Sequence, residues 1–400
     1  MQKEKYTTIL KEKSVQRRGM IIEKANRLNT VKEYYFSTKL KEIRTLIRLG
    51  KPIINLGIGS PDIAPPIKVI EAISEAVLNE KNHSYQSYQG LPEFRIAIAK
   101  FYKTHYNVNL NSETEILPLM GSKEGIMHIS MAFLNEGDQV LIPNPGYMTY
   151  TSVTKLLKAK PIHYHLKQEN NWYPDFETLE KLDLCKVKIM WLNYPNMPTG
   201  SVATKTVFQR LIAFAKKHQI LLVNDNPYSF VLNQKPLSIL SIEGAKEVSI
   251  ELNSLSKTFN MAGWRVGMLL GNETYIKTVL QVKSNMDSGM FYGIQKGAIA
   301  ALGITNGWFD KMNAIYKTRR EIVWRILDKL NCTYDKNAVG LFVWAKIPKG
   351  IKSEQLTDKL LYEKDVFITP GTIFGTNGEG YIRVSLCASE EKFKEVLEKI

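Results

Sequence analysis

Four times in the middle of the chain, a short apolar run rich in β-branched residues stops at a polar or glycine-bearing cluster, and a helical pattern follows. The four are QVLIPNPGY (139–147), KIMWLNYPNMPTG (188–200), QILLVNDNPYS (219–229) and VSIELNSLSKTF (248–259). A strand that is apolar on both faces must be covered on both. Runs without alternation therefore predict buried strands of a parallel sheet, with helices packed over it. Ligands of such sheets bind beyond the carboxyl ends of the strands, which is where the four polar clusters fall. The pattern predicts one site built from several strand ends.

Near residue 300 the pattern changes. WFDKMNAIYKTRREIVWRILDKL (308–330) has the apolar spacing of a long amphipathic helix, and GLFVWAKI (340–347) and YIRVSLC (381–387) read as short alternating strands. The expected fold is α/β: a large domain with a mixed, mostly parallel sheet covered by helices, plus a smaller α+β domain. Expected boundaries are 1–54 for an N-terminal arm and part of the small domain, 55–300 for the large domain, and 301–400 for the small C-terminal domain. A chain of 400 residues suits such a division.

No stretch approaches eighteen uninterrupted apolar residues, and the first twenty have no secretory apolar core. Three dispersed cysteines (Cys185, Cys332, Cys387) without a CxxC pair fit a reducing compartment and are expected as buried thiols. The chain is therefore expected to be cytoplasmic, with no membrane partner. The net charge of +15 comes mainly from lysines on helices that also carry glutamate, so a basic solvated surface is expected and nucleic-acid binding is not. The densest positive stretch is residues 1–20, with six Lys/Arg against two Glu. Met20 would be a more natural start, in which case residues 1–19 are expected to be an extension or a translation artefact. Six histidines without ligand spacing give no metal site.

SLSKTFNMAGWRVG (254–267) carries the most chemistry. It follows a strand and sets Lys257 between Leu255 and Phe259, with two serines before it and Arg265 eight residues on. A lysine desolvated beside other cations loses proton affinity and becomes a nucleophile for carbonyls. Taken with YQSYQGLPEF, GSKEG, NYPNMPTG and NDNPYS in the same chain order, this stretch resembles the class I aminotransferases, fold-type I pyridoxal-phosphate enzymes. The likeness runs from about Asn55 to Arg383 and is nearest in motifs to the aspartate, alanine and diaminopimelate subgroup.

The resemblance implies pyridoxal 5′-phosphate as cofactor, with Lys257 holding it as a Schiff base and shuttling the substrate proton. Ser254, Ser256 and Arg265 match the phosphate positions, and Gly121, Ser122 and Lys123 match a backbone cradle opening a helix. Asp225 matches the carboxylate that keeps the pyridine nitrogen protonated. Tyr228 matches the donor to the cofactor's phenolic oxygen, and Tyr147 the ring stacked on the pyridine. Gly59 and Arg383 match the substrate-carboxylate positions. Tyr85, with Tyr88 as competitor, matches the tyrosine that reaches the neighbouring subunit's phosphate, which implies a homodimer with shared active sites. One departure is clear: Met197 stands where the family has asparagine before Pro-Thr-Gly. That contact is expected to be lost or taken over by Asn196 or Asn193, raising the pKa of the Lys257–cofactor linkage or altering substrate preference.

The expected reaction is a ping-pong transfer of an amino group from an L-amino acid to a 2-oxo acid, commonly 2-oxoglutarate in this family. A C–S β-lyase or another amino-acid enzyme on the same cofactor, such as a decarboxylase, is the alternative, and an enzyme-like regulator a more distant one. Tyr34, Lys283 and Asn285 are candidates for side-chain selection. The methionines at 197, 286 and 290 could form a soft apolar pocket.

Overall fold

The computed structural model describes residues 22–305 and 307–400. The basic stretch 1–20 and the alternative start at Met20 lie outside them.

The large sheet has seven strands: β1 (Ile116–Leu119), β2 (Gln139–Asn144), β3 (Lys160–His165), β4 (Val187–Leu192), β5 (Leu221–Asp225), β6 (Ser249–Ser254) and β7 (Gly267–Gly271). Their spatial order is β1-β7-β6-β5-β4-β2-β3, and β7 alone runs against its neighbours. The four apolar runs are β2, β4, β5 and β6. They lie side by side and parallel in the sheet, so their carboxyl ends form one continuous edge.

Both faces are covered, as strands of this kind require. Helices Ser122–Phe133, Met148–Leu156 and Glu273–Lys283 bury Ile126, Ile129, Tyr150, Val153, Ile276 and Val279 against one face. Helices Pro92–Tyr106, Lys205–His218 and Tyr292–Leu302 cover the other with Phe94, Ile98, Phe208, Leu211 and Ala298. Lys205–His218 shows how locally such a helix is encoded. The Thr204 side chain caps it by accepting from the Val207 N–H (3.2 Å), and Val207, Phe208, Leu211, Ile212 and Ala215 form its buried stripe. Its last turn carries Lys216, Lys217 and His218, favourable to the negative end of the helix dipole. Truncating the fully buried Phe208 to alanine would cost about 3–5 kcal/mol.

The second sheet is antiparallel: β8 (Thr333–Tyr334), β9 (Phe342–Lys346), β10 (Thr369–Pro370) and β11 (Tyr381–Ser385), in the order β10-β11-β9-β8. Helix Gly307–Lys329 packs Tyr316, Ile322, Val323 and Ile326 into its core. Residues before 55 join this half. Ile54–Asn55 pairs in parallel with Val366–Phe367, and helix Tyr35–Arg48 sets Ile43 and Leu46 against Leu361 and Phe367. Met197 and Val231, from loops after β4 and β5, also pack into this core and so knit the two halves. Cys185 departs from the expectation of buried thiols: it lies exposed in the turn before β4. Among the described residues no helix is long and apolar enough to cross a membrane.

Candidate active site

β6 ends at Ser254, and the chain enters a single helical turn, Leu255–Thr258. The Ser254 side chain caps that turn by accepting from the Ser256 N–H (3.1 Å). This presents Lys257 over the sheet edge. Burial lowers its proton affinity; nearby Cys387 opposes that shift, and the Arg383 and Arg265 guanidinium groups add to it. Its Nζ donates to the Gly59 carbonyl.

On the neighbouring strand, Asp225 closes β5. Its Oδ2 accepts from the Tyr150 hydroxyl (2.9 Å), whereas its Oδ1 is buried with no partner among the described residues. Burial pushes this carboxyl up to about 7; the Tyr150 bond opposes the shift and Glu251 adds to it. The Tyr147 ring, after β2, borders the same space and meets Tyr150 edge-on at 5.5 Å.

At one end of the space the chain collects donors for an anion. Gly121 has φ of 91°, a left-handed conformation that favours glycine, and precedes helix Ser122–Phe133. A Cβ on Gly121 would lie 2.2 Å from Arg265 Nη2, so glycine is what lets the guanidinium lie against the helix N-terminus. Arg265 is itself left-handed (φ 57°), with Nη1 donating to the Ala262 carbonyl at 2.8 Å. The hydroxyls of Ser254 and Ser256 bond each other at 2.8 Å. Lys123 Nζ sits 4.5 Å from the Tyr34 ring centre, and burial, then Arg265, lowers its pKa.

At the other end stands Arg383, on β11. Its guanidinium lies 3.9 Å from the Phe342 ring centre and 4.6 Å from that of Phe374. Nη2 donates to the Gly57 carbonyl (2.8 Å), Nη1 to the Met197 sulfur (3.2 Å), and the buried Nε has no partner. No carboxylate pairs with it among the described residues, and burial lowers its pKa to about 10. Lys257, Asp225, Tyr147, Tyr228, Ser122, Lys123, Ser254, Ser256, Arg265, Gly59 and Arg383 all border one cavity of about 530 Å³.

Not every residue singled out in the sequence joins them. Asn196 lies outside the lining: its Oδ1 accepts from the Thr199 hydroxyl (2.7 Å) and shapes the turn. Asn193 borders the cavity instead, donating to the Asp225 carbonyl (2.6 Å) and accepting from the Met197 N–H (2.8 Å). Tyr85 is 90% exposed and away from the cavity, and Tyr88 is 44% exposed. Of the selector candidates, Tyr34 lines the cavity. Lys283 is buried in an ion pair with Asp287 (2.8 Å), and Asn285 is exposed, donating to the Gln281 carbonyl. Met197 lines the cavity, but Met286 is exposed and Met290 buried elsewhere, so one chain forms no three-methionine pocket. Glu124, His128 and Asp287 bring ligand atoms within 4.8 Å of one another, and the Lys283 ammonium already sits on Asp287.

The model of the class I and II aminotransferases matches residues 51–400. That span includes every lining residue of the cavity except Tyr34, Phe36, Ser37 and Leu40. The chain belongs to this family. It is similar to LL-diaminopimelate aminotransferases of Aquifex aeolicus (38% identical, 95% of this chain and 99% of the relative) and of Natranaerobius thermophilus (40%, 95% and 99%). Among solved structures it is similar to BacF from Bacillus subtilis in its apo form, with 39% identity, a TM-score of 0.91, and coverage of 95% of this chain and 98% of that one. The substrate-bound form of BacF gives a TM-score of 0.89 at the same identity, covering 95% and 97%. The chain is thus a pyridoxal-phosphate-dependent transaminase.

The aminotransferase cavity fits its cofactor on its own geometry. The orphaned Asp225 Oδ1 needs a buried donor such as a pyridinium N–H, and the Gly121–Arg265 contact beside a helix N-terminus suits a phosphate. Sequence reasoning missed Tyr150, Phe36, Phe342 and Phe374. Tyr150 had a signal, one helical turn after Tyr147; the three phenylalanines had none.

Proposed function

We propose that this aminotransferase moves the α-amino group of an L-amino acid to 2-oxoglutarate, working as a homodimer with shared active sites. The observation that carries it is Arg383, a buried guanidinium without a carboxylate partner among the described residues, in one cavity with Lys257 and Asp225. Arginine's planar fork suits an α-carboxylate, and binding one would satisfy the buried Nε or replace the weak bond to sulfur.

Bound pyridoxal phosphate supplies an aldehyde for the amino group and a ring that accepts electrons from the substrate. Lys257 would hold the cofactor, and its Nζ, with lowered proton affinity, is the base that would take the proton from the substrate Cα. Asp225 would keep the ring nitrogen protonated through Oδ1. Arg383 would orient the carboxylate, Tyr147 would cover the ring face, and Tyr228 would donate to the phenolic oxygen. Ser122, Ser254, Ser256 and Arg265 would hold the phosphate.

Much of the remaining wall (Tyr34, Phe36, Leu40, Ile58, Phe342, Phe374) is apolar or aromatic, with Ser37 and Asn193 the polar exceptions, and supports donors with apolar side chains. LL-diaminopimelate is the second reading, favoured by the relatives' names. Support for the dimer comes from the exposed Tyr85, Tyr88, Met286 and Phe291 on touching segments: His83 stacks on Phe291, and Gly289 packs on Gln86. The test is the absorbance of the loaded protein with phenylalanine, leucine, methionine, aspartate and LL-diaminopimelate added singly. A visible band that moves to the near ultraviolet with a donor and returns with 2-oxoglutarate supports the proposal. L-Cystathionine added separately tests the alternative: release of homocysteine, pyruvate and ammonia without return of the band by 2-oxoglutarate would mean a C–S β-lyase, a reading the relatives do not favour.

A further inference from the structure

We infer that Tyr150 is a positioning residue for Asp225: its hydroxyl selects which carboxylate oxygen faces the cavity and favours the charged form of that carboxylate against its burial. The inference rests on the proposed role of Asp225 toward the cofactor's ring nitrogen.

Tyr150 occupies the third position of helix Met148–Leu156, one turn after Tyr147, and its ring is fully buried. The ring lies flat on Trp191 of β4 at 4.7 Å and 6°, and meets Tyr147 edge-on. Two flat neighbours at right angles leave the phenol little freedom, so its oxygen has a fixed place beside the end of β5. From there it donates to Asp225 Oδ2 at 2.9 Å.

The Asp225 main chain is held separately, because its carbonyl accepts from Asn193 Nδ2 at 2.6 Å. With the backbone pinned and Oδ2 engaged, Oδ1 is the oxygen left open, and it is the buried atom without a partner. A carboxyl group held only by its backbone could rotate about its last torsion and offer either oxygen, protonated or not. The phenol removes that choice. It is a donor to Oδ2, so it bonds best when Asp225 is ionised, and it opposes both burial and the nearby Glu251, which favour the neutral acid. An ionised, oriented Oδ1 is what a protonated ring nitrogen needs. The role spans two strands and a helix, with the partners 75 positions apart.

Tyr150→Phe keeps the ring and its stack on Trp191 and deletes only the donor. Fluorescence titration of the apoprotein with pyridoxal phosphate reads its effect on cofactor binding. Losing a buried hydrogen bond to a charged group should weaken that binding roughly tenfold to hundredfold. With the loaded enzyme, kcat should fall while KM for the amino donor stays within about twofold, because Arg383 is untouched. The deciding measurement repeats the titration in an Asp225→Asn background. If Tyr150 acts through Asp225, Tyr150→Phe adds nothing further there. An equal loss in both backgrounds would make Tyr150 a packing residue and overturn the inference. A neutral Tyr150→Phe beside a severe Asp225→Asn would overturn the inference alone, whereas a neutral Asp225→Asn would overturn the role proposed for Asp225 as well.

Discussion

Two residues in the cavity are held in states that water would not choose. Asp225 is buried with one oxygen unbonded, and burial pushes its carboxyl from 3.8 to about 7 in the folded chain. The folded apoprotein therefore keeps a proton that the unfolded chain releases, so this group subtracts stability as pH rises from about 4 to about 7, and the loss is complete above that. Asp225→Asn should make the apoprotein more stable than the parent at pH 8, by at most ~4 kcal/mol, and nearly equal to it at pH 4. Denaturant unfolding of both apoproteins across that range measures the difference, and a constant difference would contradict the burial argument. Arg383 is the cation of the pair, sandwiched by rings and bonded to the Met197 sulfur. Thioether sulfur is a weak acceptor and cannot donate to a phenolic oxygen. Met197→Asn should lower the pKa of the loaded enzyme's visible band by about a unit, the worth of one ordinary hydrogen bond, or shift preference among amino donors. A spectroscopic pH titration and the donor panel read the two effects, and no change in either would leave Met197 a packing residue.

Within single elements, local chemistry explains the site. The helix Ser122–Phe133 can present its first N–H groups to an anion because Gly121 takes a left-handed turn and leaves room for Arg265. An alanine there pays the left-handed penalty and collides with the guanidinium. Gly121→Ala should weaken pyridoxal-phosphate binding about tenfold or more, since ~1–3 kcal/mol of strain falls on the cofactor contact, while the apoprotein still folds. Equilibrium titration of the apoprotein checks this, and inorganic phosphate as competitor checks that the phosphate end is what suffers. The strand elements behave likewise: β2, β4, β5 and β6 are buried along nearly all their length, and each ends at or just before a residue lining the cavity.

At the scale of the molecule, Tyr85 poses the remaining question, since it is nearly fully exposed and outside its own chain's cavity. If two chains share their sites, Tyr85→Ala should weaken cofactor binding about tenfold, the worth of one hydrogen bond to a phosphate. A mixed dimer with Lys257→Ala in one chain and Tyr85→Ala in the other should then keep one site intact. Light scattering for the oligomer and titration of the mixture test it; an unaltered Tyr85→Ala protein would return the cross-subunit role to Tyr88 or remove it.

Much of this molecule can be read from its chain order. Apolar runs without alternation announced buried parallel strands, and the chemistry at their ends announced the site, because burial pattern and strand polarity are local properties of a sequence. The pairing of Ile54–Asn55 with Val366–Phe367 was legible only in part, as the expectation that the N-terminal segment joins the small domain. Tyr150 on Asp225, Met197 on Arg383 and the turning of Asn196 away from the cavity were not legible. Those contacts join residues 75 and 186 apart, or depend on a rotamer within a turn, and no periodicity records them. Sequence alone decided which chemistry reaches the sheet edge. Packing decided which atom of each group is left free to perform it, because only close neighbours in space compete for a donor.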